Sequence, residues 1–329
     1  MGYIVGTDEA GYAPNIGPLV ITATVWSAPG NPREVDLYEL LSQAVAKTPE
    51  KSSRRAKGSK SPASERVVFA DSKLLYRPPD GIGQLELGVL AALALAGKEP
   101  ATWRDVWRSL DGATAERLDD FPWHADYERS IPAEADPLNI RRLAAGLADV
   151  AVANGVKLMA IRSRAVFADQ WNTLTAEHNK STALSMLTLE LLSQVLTSLP
   201  PGPVAVICDK HGGRNFYQAL LQRHVAASLV EVYGEGRNES VYRWGPEDCR
   251  TEVAFRVKAE RYLPCAVASM ASKYLRELSM RAFNQFWSRH LPELRPTAGY
   301  PLDAVRFKAD IAAKQATLGI SDHILWRNR

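Results

Sequence analysis

Residues 7–18 read Thr7-Asp8-Glu9-Ala10-Gly11-Tyr12-Ala13-Pro14-Asn15-Ile16-Gly17-Pro18. The apolar run Tyr3-Ile4-Val5 leads into this stretch, and Gly11 follows the two acids almost at once. A strand that ends in adjacent carboxylates and then turns on a glycine places negative charge at the rim of a sheet. Two such groups side by side repel, which raises a pKa unless a cation lies between them. Hard divalent ions such as Mg²⁺ favour oxygen donors of this kind. On their own, Asp8 and Glu9 read more simply as solvated acids in a turn. Three other segments shift that balance.

The composition sets outer limits. A chain of 329 residues is one large domain or two small ones, with ample material for a buried core. An apolar share of 46% is that of a globular protein. The formal charge is only +3, so any nucleic-acid contact must rest on local patches. Cys208, Cys249 and Cys265 show no C-x-x-C spacing, which argues against a disulfide scaffold or zinc site and fits a reducing compartment. No basic segment followed by an apolar one opens the chain, so no signal peptide is indicated. The longest apolar stretch, about Leu85 to Ala96, contains Glu86 and is too short to span a bilayer. The expectation is a soluble, cytoplasmic, monomeric protein.

Patterning along the chain predicts an α/β fold with a largely buried sheet. Tyr3 to Thr7 and Leu19 to Trp26 read as strands joined by a Gly/Pro-rich turn. Residues 50–62 are basic and without apolar periodicity, and read as a mobile surface loop. Residues 98–137 look irregular, an insertion in which Trp103, Trp107 and Trp123 form a local mini-core rather than a base-stacking surface. Beyond residue 138 helices and strands alternate. Leu184, Leu187, Leu191, Val195 and Leu199 share one helical face, and Leu263 to His290 reads as one long helix with a small, apolar N-terminal half. The division expected is an α/β core over 1–260, with insertions near 31–64 and 98–137, and a C-terminal helical part over 261–329 packed on it.

Asp209 ends the apolar run Val204-Ala205-Val206-Ile207-Cys208. Such a strand is central and covered on both faces, so its last carboxylate faces a crevice where α/β proteins bind ligands. A helix-capping role reads equally well. Glu277 lies four residues after Lys273, and the simpler reading is an exposed ion pair worth ~0.3–0.5 kcal/mol. Lys51 to Lys60 could displace counterions from a phosphate backbone, although a solubilising loop is the simpler reading. The histidines show no metal-ligand spacing and read mostly as surface residues, with His211 set apart by its closeness to Asp209. Ser181 and Ser269 lack companions for a serine nucleophile.

The order of these motifs resembles the type 2 ribonucleases H (ribonucleases HII and HIII). Asp8-Glu9-Ala10-Gly11 with Pro14, Gly17 and Pro18 resembles their D-E-A-G-R-G-P-x-x-G-P start. Asp71-Ser72-Lys73-Leu74 looks like D-S-K-x-L, and Asp209 with Tyr217 to Leu221 is similar to the third-acid strand and following helix of the archaeal and eukaryotic branch. Lys258-Ala259-Glu260, Tyr262-Leu263-Pro264 and Ala268 to Lys273 resemble K-A-D-x-x-Y-P-x-x-x-A-A-S-I-x-A-K, and Gly299 to Asp303 resembles G-Y-P-S-D. The match covers residues 1–30, 65–96 and about 140–329.

The resemblance implies a ribonuclease H-like fold, a central mixed sheet flanked by helices with a C-terminal helical extension. It implies two divalent ions, Mg²⁺ or Mn²⁺, held by the catalytic acids Asp8, Glu9, Asp209 and Glu277, with Glu9 also sensing a ribose 2′-hydroxyl. The implied activity is hydrolysis of the RNA strand of RNA–DNA hybrids by a two-metal mechanism, leaving 5′-phosphate and 3′-hydroxyl ends. Lys73 and Arg214 would hold substrate phosphates, and Tyr300 would stack on a sugar. Two departures stand out. Glu277 occupies a place where ribonuclease HII has Asp and ribonuclease HIII has Glu. Gly11-Tyr12-Ala13 replaces the Gly-Arg-Gly whose backbone grips an RNA–DNA junction: Tyr12 removes a cation and Ala13 adds a Cβ. Weak or absent cleavage at single embedded ribonucleotides is therefore expected. The competing readings are a divergent non-catalytic nucleic-acid-binding protein of the same fold and, more weakly, a nuclease for branched DNA.

Overall fold

The computed structural model describes residues 1–49 and 65–328, so the basic stretch 50–62 lies outside the described residues. Seven strands form one mixed sheet: β1 (Gly2–Ala10), β2 (Leu19–Ala28), β3 (Lys157–Val166), β4 (Val204–Asp209), β5 (Glu231–Glu235), β6 (Glu239–Trp244) and β7 (Thr251–Arg256). Their spatial order is β3-β2-β1-β4-β7-β6-β5. The first three strands make an antiparallel meander, and β4 and then β7 add parallel to β1. This is a central mixed sheet flanked by helices, as the resemblance implies. The β5–β6 hairpin extends the sheet antiparallel beyond β7.

Alternation along β1 explains why the sheet is covered twice. Ile4 points into one core, and its neighbours Tyr3 and Val5 point into the other. The first core takes apolar residues of α1 (Gly83–Leu95), α3 (Pro137–Ala153) and α7 (Leu263–His290). The second takes Leu184, Leu187, Leu191 and Val195 of α5 (Lys180–Thr197), with Trp171 of α4 (Ala168–Glu177) and Leu221 of α6 (Gln218–His224). A last long helix, α8 (Pro301–Thr317), follows α7 and adds Phe307 and Ile311 to the first core.

Helix α7 spans the residues expected of it, and its small N-terminal residues Cys265, Ala266, Ala268, Ser269, Ala271 and Ser272 are all buried. Gly6 lets it come that close: a Cβ there would stand 2.4 Å from both the Cys265 nitrogen and the Pro264 carbonyl carbon. Thr24 Oγ1 donates to the Pro264 carbonyl at 2.8 Å and fixes the start of the helix on β2.

The segment 98–137 is more ordered than its composition suggests. It holds α2 (Trp103–Leu110), started by a capping box in which Thr102 and Asp105 satisfy each other's backbone N–H groups. Trp103, Trp107 and Trp123 are buried as expected, but they belong to the first core and are no separate cluster. The buried Glu86 carboxylate ties the segment to α1 by accepting from the N–H groups of Ala133, Glu134 and Ala135 and from the Tyr274 hydroxyl. No helix among the described residues is long and apolar enough to cross a membrane.

Candidate functional site

The parallel pairing of β1 and β4 brings the first acids together. Thr7 lies opposite Cys208 in that ladder, so Asp8 and Asp209 leave the same end of two adjacent strands. The pleat sends Asp8 to the α7 side, near Ser269, and Glu9 to the other side. Burial pushes the Asp8 carboxyl up to about 7, with the charges of Asp209 and Glu260 adding to the effect and Ser269 opposing it. Burial also pushes Glu9 well above the usual carboxylate range, reinforced by Asp8 and Asp209 and countered by Lys73.

Asp209 is raised by burial too, against backbone N–H groups of Ala259, Lys210 and Lys258 and the charge of Lys73. The Ala259 N–H donates to its Oδ1 at 3.3 Å. That donor is aimed by Lys258, which sits at φ 60°, ψ 48° and is the one non-glycine residue at positive φ among the described residues. Asp209 is therefore held by the first residue of the helical turn Ala259–Arg261 and does not cap α6, the helix that follows it in the chain.

Lys73 stands on the single helical turn Ser72–Leu75, which Asp71 caps. Its ammonium is raised by Asp71 first, and then by Glu260, Asp8 and Asp209, against burial. Asp8, Glu9, Asp209, Lys73 and Glu260 thus share one electrostatic neighbourhood. Glu260 and Ser269 were in the motifs read from sequence without being assigned to the site. The third position of K-A-D was the signal for Glu260.

Glu277 is engaged differently. Lys273 Nζ lies 2.5 Å from its Oε1, and the Tyr76 hydroxyl donates to Oε2 at 2.8 Å. The pair is 19% and 13% exposed on its two side chains, so it is no open surface salt bridge. The chief charges on Asp8, Glu9 and Asp209 are each other, Glu260 and Lys73, with Glu277 not among them. Among the described residues, no group of three or more His, Cys, Asp or Glu side chains is arranged to hold a metal ion. The donor chemistry nonetheless fits a hard divalent cation: carboxylates from separated segments crowd one sheet edge and are driven toward protonation there.

The substrate-side residues divide. Gly11 turns at φ +86°, where a Cβ would meet the Pro18 carbonyl oxygen at 2.5 Å. Tyr12 packs edge-on against Trp171 with ring centroids 6.3 Å apart, and Lys180 Nζ lies 5.7 Å from the Tyr12 ring centre. Ala13 is exposed. Tyr300 is 53% exposed beside this loop, because the Gly299 carbonyl before it accepts from the N–H groups of Asn15 and Ile16. Arg214 donates to Thr182 Oγ1 at 2.8 Å, on α5. Its neighbours are structural. Lys210 Nζ is spent on Arg214, Asn215, Gly236 and Ser240. His211 is buried against Ser185 with its pKa lowered to about 3 by that burial. His124 is buried as well, an exception among histidines that read mostly as surface residues, because its ring packs among Trp103, Trp107 and Phe121.

Neither a family model nor a curated protein sequence matches the chain. Among solved structures it is similar to ribonuclease HII of Archaeoglobus fulgidus in its PCNA complex, at 14% identity and a TM-score of 0.43, covering 99% of this chain and 94% of that one. It is similar to ribonuclease H2 of Pyrococcus horikoshii at 14% identity and a TM-score of 0.42, covering 98% and 92%. It is also similar to Bst ribonuclease HIII in complex with Mn²⁺ at 14% identity and a TM-score of 0.40, covering 99% and 65%.

Proposed function

We propose that this chain is a divalent-metal-dependent endonuclease that hydrolyses the RNA strand of RNA–DNA hybrids, leaving 5′-phosphate and 3′-hydroxyl ends. The observation that carries the reading is the meeting of Asp8, Glu9 and Asp209 at one sheet edge with Lys73 from a separate segment. Those three acids, with Glu277, would hold Mg²⁺ or Mn²⁺. Such ions supply charge neutralisation to the phosphodiester as it is cleaved. Lys73 offers a cation to a substrate phosphate at the same edge, and Arg214, anchored on Thr182, adds a second on the Asp209 side. The Gly11 turn brings backbone close to the sugar, where a 2′-hydroxyl distinguishes RNA from DNA. Tyr300 has the exposure to stack on a sugar.

Glu277 joins such a centre only by releasing Tyr76 and Lys273. That commitment favours the second reading, a protein that binds hybrid without cutting it. Incubation of end-labelled RNA–DNA hybrid, duplex DNA and branched DNA with Mg²⁺ or Mn²⁺ separates the readings, with Asp8→Asn as control. Cleavage confined to the RNA of the hybrid and lost in Asp8→Asn supports the enzyme. Tight binding of the hybrid with no cleavage under either metal leaves the binder.

A further inference from the structure

The loop Gly11–Pro18 is fastened from beneath by two arginines that lie far from it in the sequence. Arg276 of α7 donates through Nη1 to the Pro18 carbonyl at 2.6 Å and through Nη2 to the carbonyls of Ile16 and Ala298 at 3.1 and 3.0 Å. Arg327 donates through Nη2 to the carbonyls of Gly11 and Pro14. Its backbone closes the contact. The Arg327 N–H donates to the Asn15 carbonyl at 2.8 Å, and Asn15 Nδ2 donates to the Arg327 carbonyl at 2.9 Å. The segment around Arg327 is itself tied to α4: Asn172 Nδ2 donates to the Trp326 carbonyl at 2.8 Å, and the Asn328 N–H donates to Asn172 Oδ1 at 2.7 Å.

Arg327 is 1% exposed and Arg276 is 2% exposed. A buried guanidinium normally meets a carboxylate, because an unpaired charge away from water is costly. Here the hydrogen bonds of both guanidinium groups go to backbone carbonyls, and Nε and Nη1 of Arg327 are buried without a partner. Its guanidinium lies 5.5 Å from the ring centre of Trp171, the ring that also supports Tyr12. One residue therefore fixes both the backbone of the loop and the platform under its Tyr12 side chain. The peptide between Gly11 and Tyr12 is planar, so drawing the Gly11 carbonyl onto Arg327 turns the Tyr12 N–H away from it.

We propose that Arg327 is a positioning residue for the substrate-binding loop: it holds Gly11–Pro18 in its binding conformation and so sets substrate affinity rather than the chemical step. This rests on the nuclease reading for its consequence and on the hydrogen bonds alone for its cause. The test separates the two. Amide hydrogen exchange is followed by mass spectrometry in wild type, Arg327→Ala and Arg327→Lys. Both variants should exchange faster over residues 11–18 by about tenfold or more, the factor one charge-assisted hydrogen bond gives, while β1 and β4 keep their protection. Should Arg327→Ala not fold, Arg327→Lys alone decides, since an ammonium keeps the charge but lacks the guanidinium fork. Unchanged loop exchange in a folded variant overturns the proposal. On hybrid substrate, KM should rise by a similar factor with kcat nearly kept, and added guanidinium ion should restore part of it in Arg327→Ala. A fall in kcat at constant KM also overturns it. Failure of wild type to cut or bind hybrid would refute the nuclease reading while the exchange result still decides the role of Arg327.

Discussion

Lys258 shows how a single backbone conformation serves the acidic edge. Its left-handed φ of 60° turns the Ala259 N–H toward Asp209. An L-residue with a Cβ pays about 1–2 kcal/mol to sit there. Lys258→Gly should raise stability by about 1 kcal/mol in urea unfolding, and a lowered midpoint would show that the lysine side chain makes a compensating contact. Tyr12 carries the second prediction at this scale. It stands where the family pattern has arginine, packed on Trp171. Wild type should cut a duplex with one embedded ribonucleotide far more slowly than an all-RNA hybrid, and Tyr12→Arg should narrow the gap. Equal, fast cutting of both substrates by wild type would refute the assignment. Asp8, Glu9 and Asp209 were legible as candidates because each ends an apolar run, a local pattern. The burial of His124 was not, since Ser279, the hydroxyl its ring bonds, lies 155 residues away in the chain. The Tyr76 bond to Glu277 joins residues 201 apart and leaves no local trace.

At the scale of elements, α7 was the most legible because its small residues, Pro264 in the first turn and apolar spacing agree with one another. Its seat on β1 depends on Gly6. Gly6→Ala forces a Cβ against backbone atoms that cannot swing aside, and should cost about 2–3 kcal/mol, read as a lower urea midpoint with an unchanged m value. A stability within experimental error of wild type would mean that the helix can shift along the sheet. Strand β5 forms at Glu231–Glu235. Every residue of it is exposed, so no buried face fixes its ends. Helix α2 was missed although Trp103, Val106, Trp107 and Leu110 keep helical spacing behind a Thr-x-x-Asp start. The surrounding Asp and Pro content hid that pattern.

The whole molecule is a twice-covered sheet whose two cores each enclose a neutral histidine. Burial lowers His124 and His211 to about 3, from an ordinary 6.5. Between those limits the unfolded chain binds more protons than the folded one, so stability is full above about pH 6.5 and falls as pH drops toward 3. The urea midpoint should follow that course, with a shallower slope in His124→Gln; an identical slope would contradict it. The acidic edge acts in the opposite sense. Without metal, Asp8, Glu9 and Asp209 repel in a partly buried site, so the fold carries a strain that a divalent cation would relieve. Thermal unfolding with and without millimolar Mn²⁺ tests this directly, because an ion that binds only the folded state raises its Tm. The expected result is a higher Tm for wild type in Mn²⁺, no such rise in Asp8→Asn, and a metal-free Asp8→Asn that melts above metal-free wild type. No Mn²⁺ shift in wild type, or the same shift in both proteins, would contradict a metal centre built on Asp8.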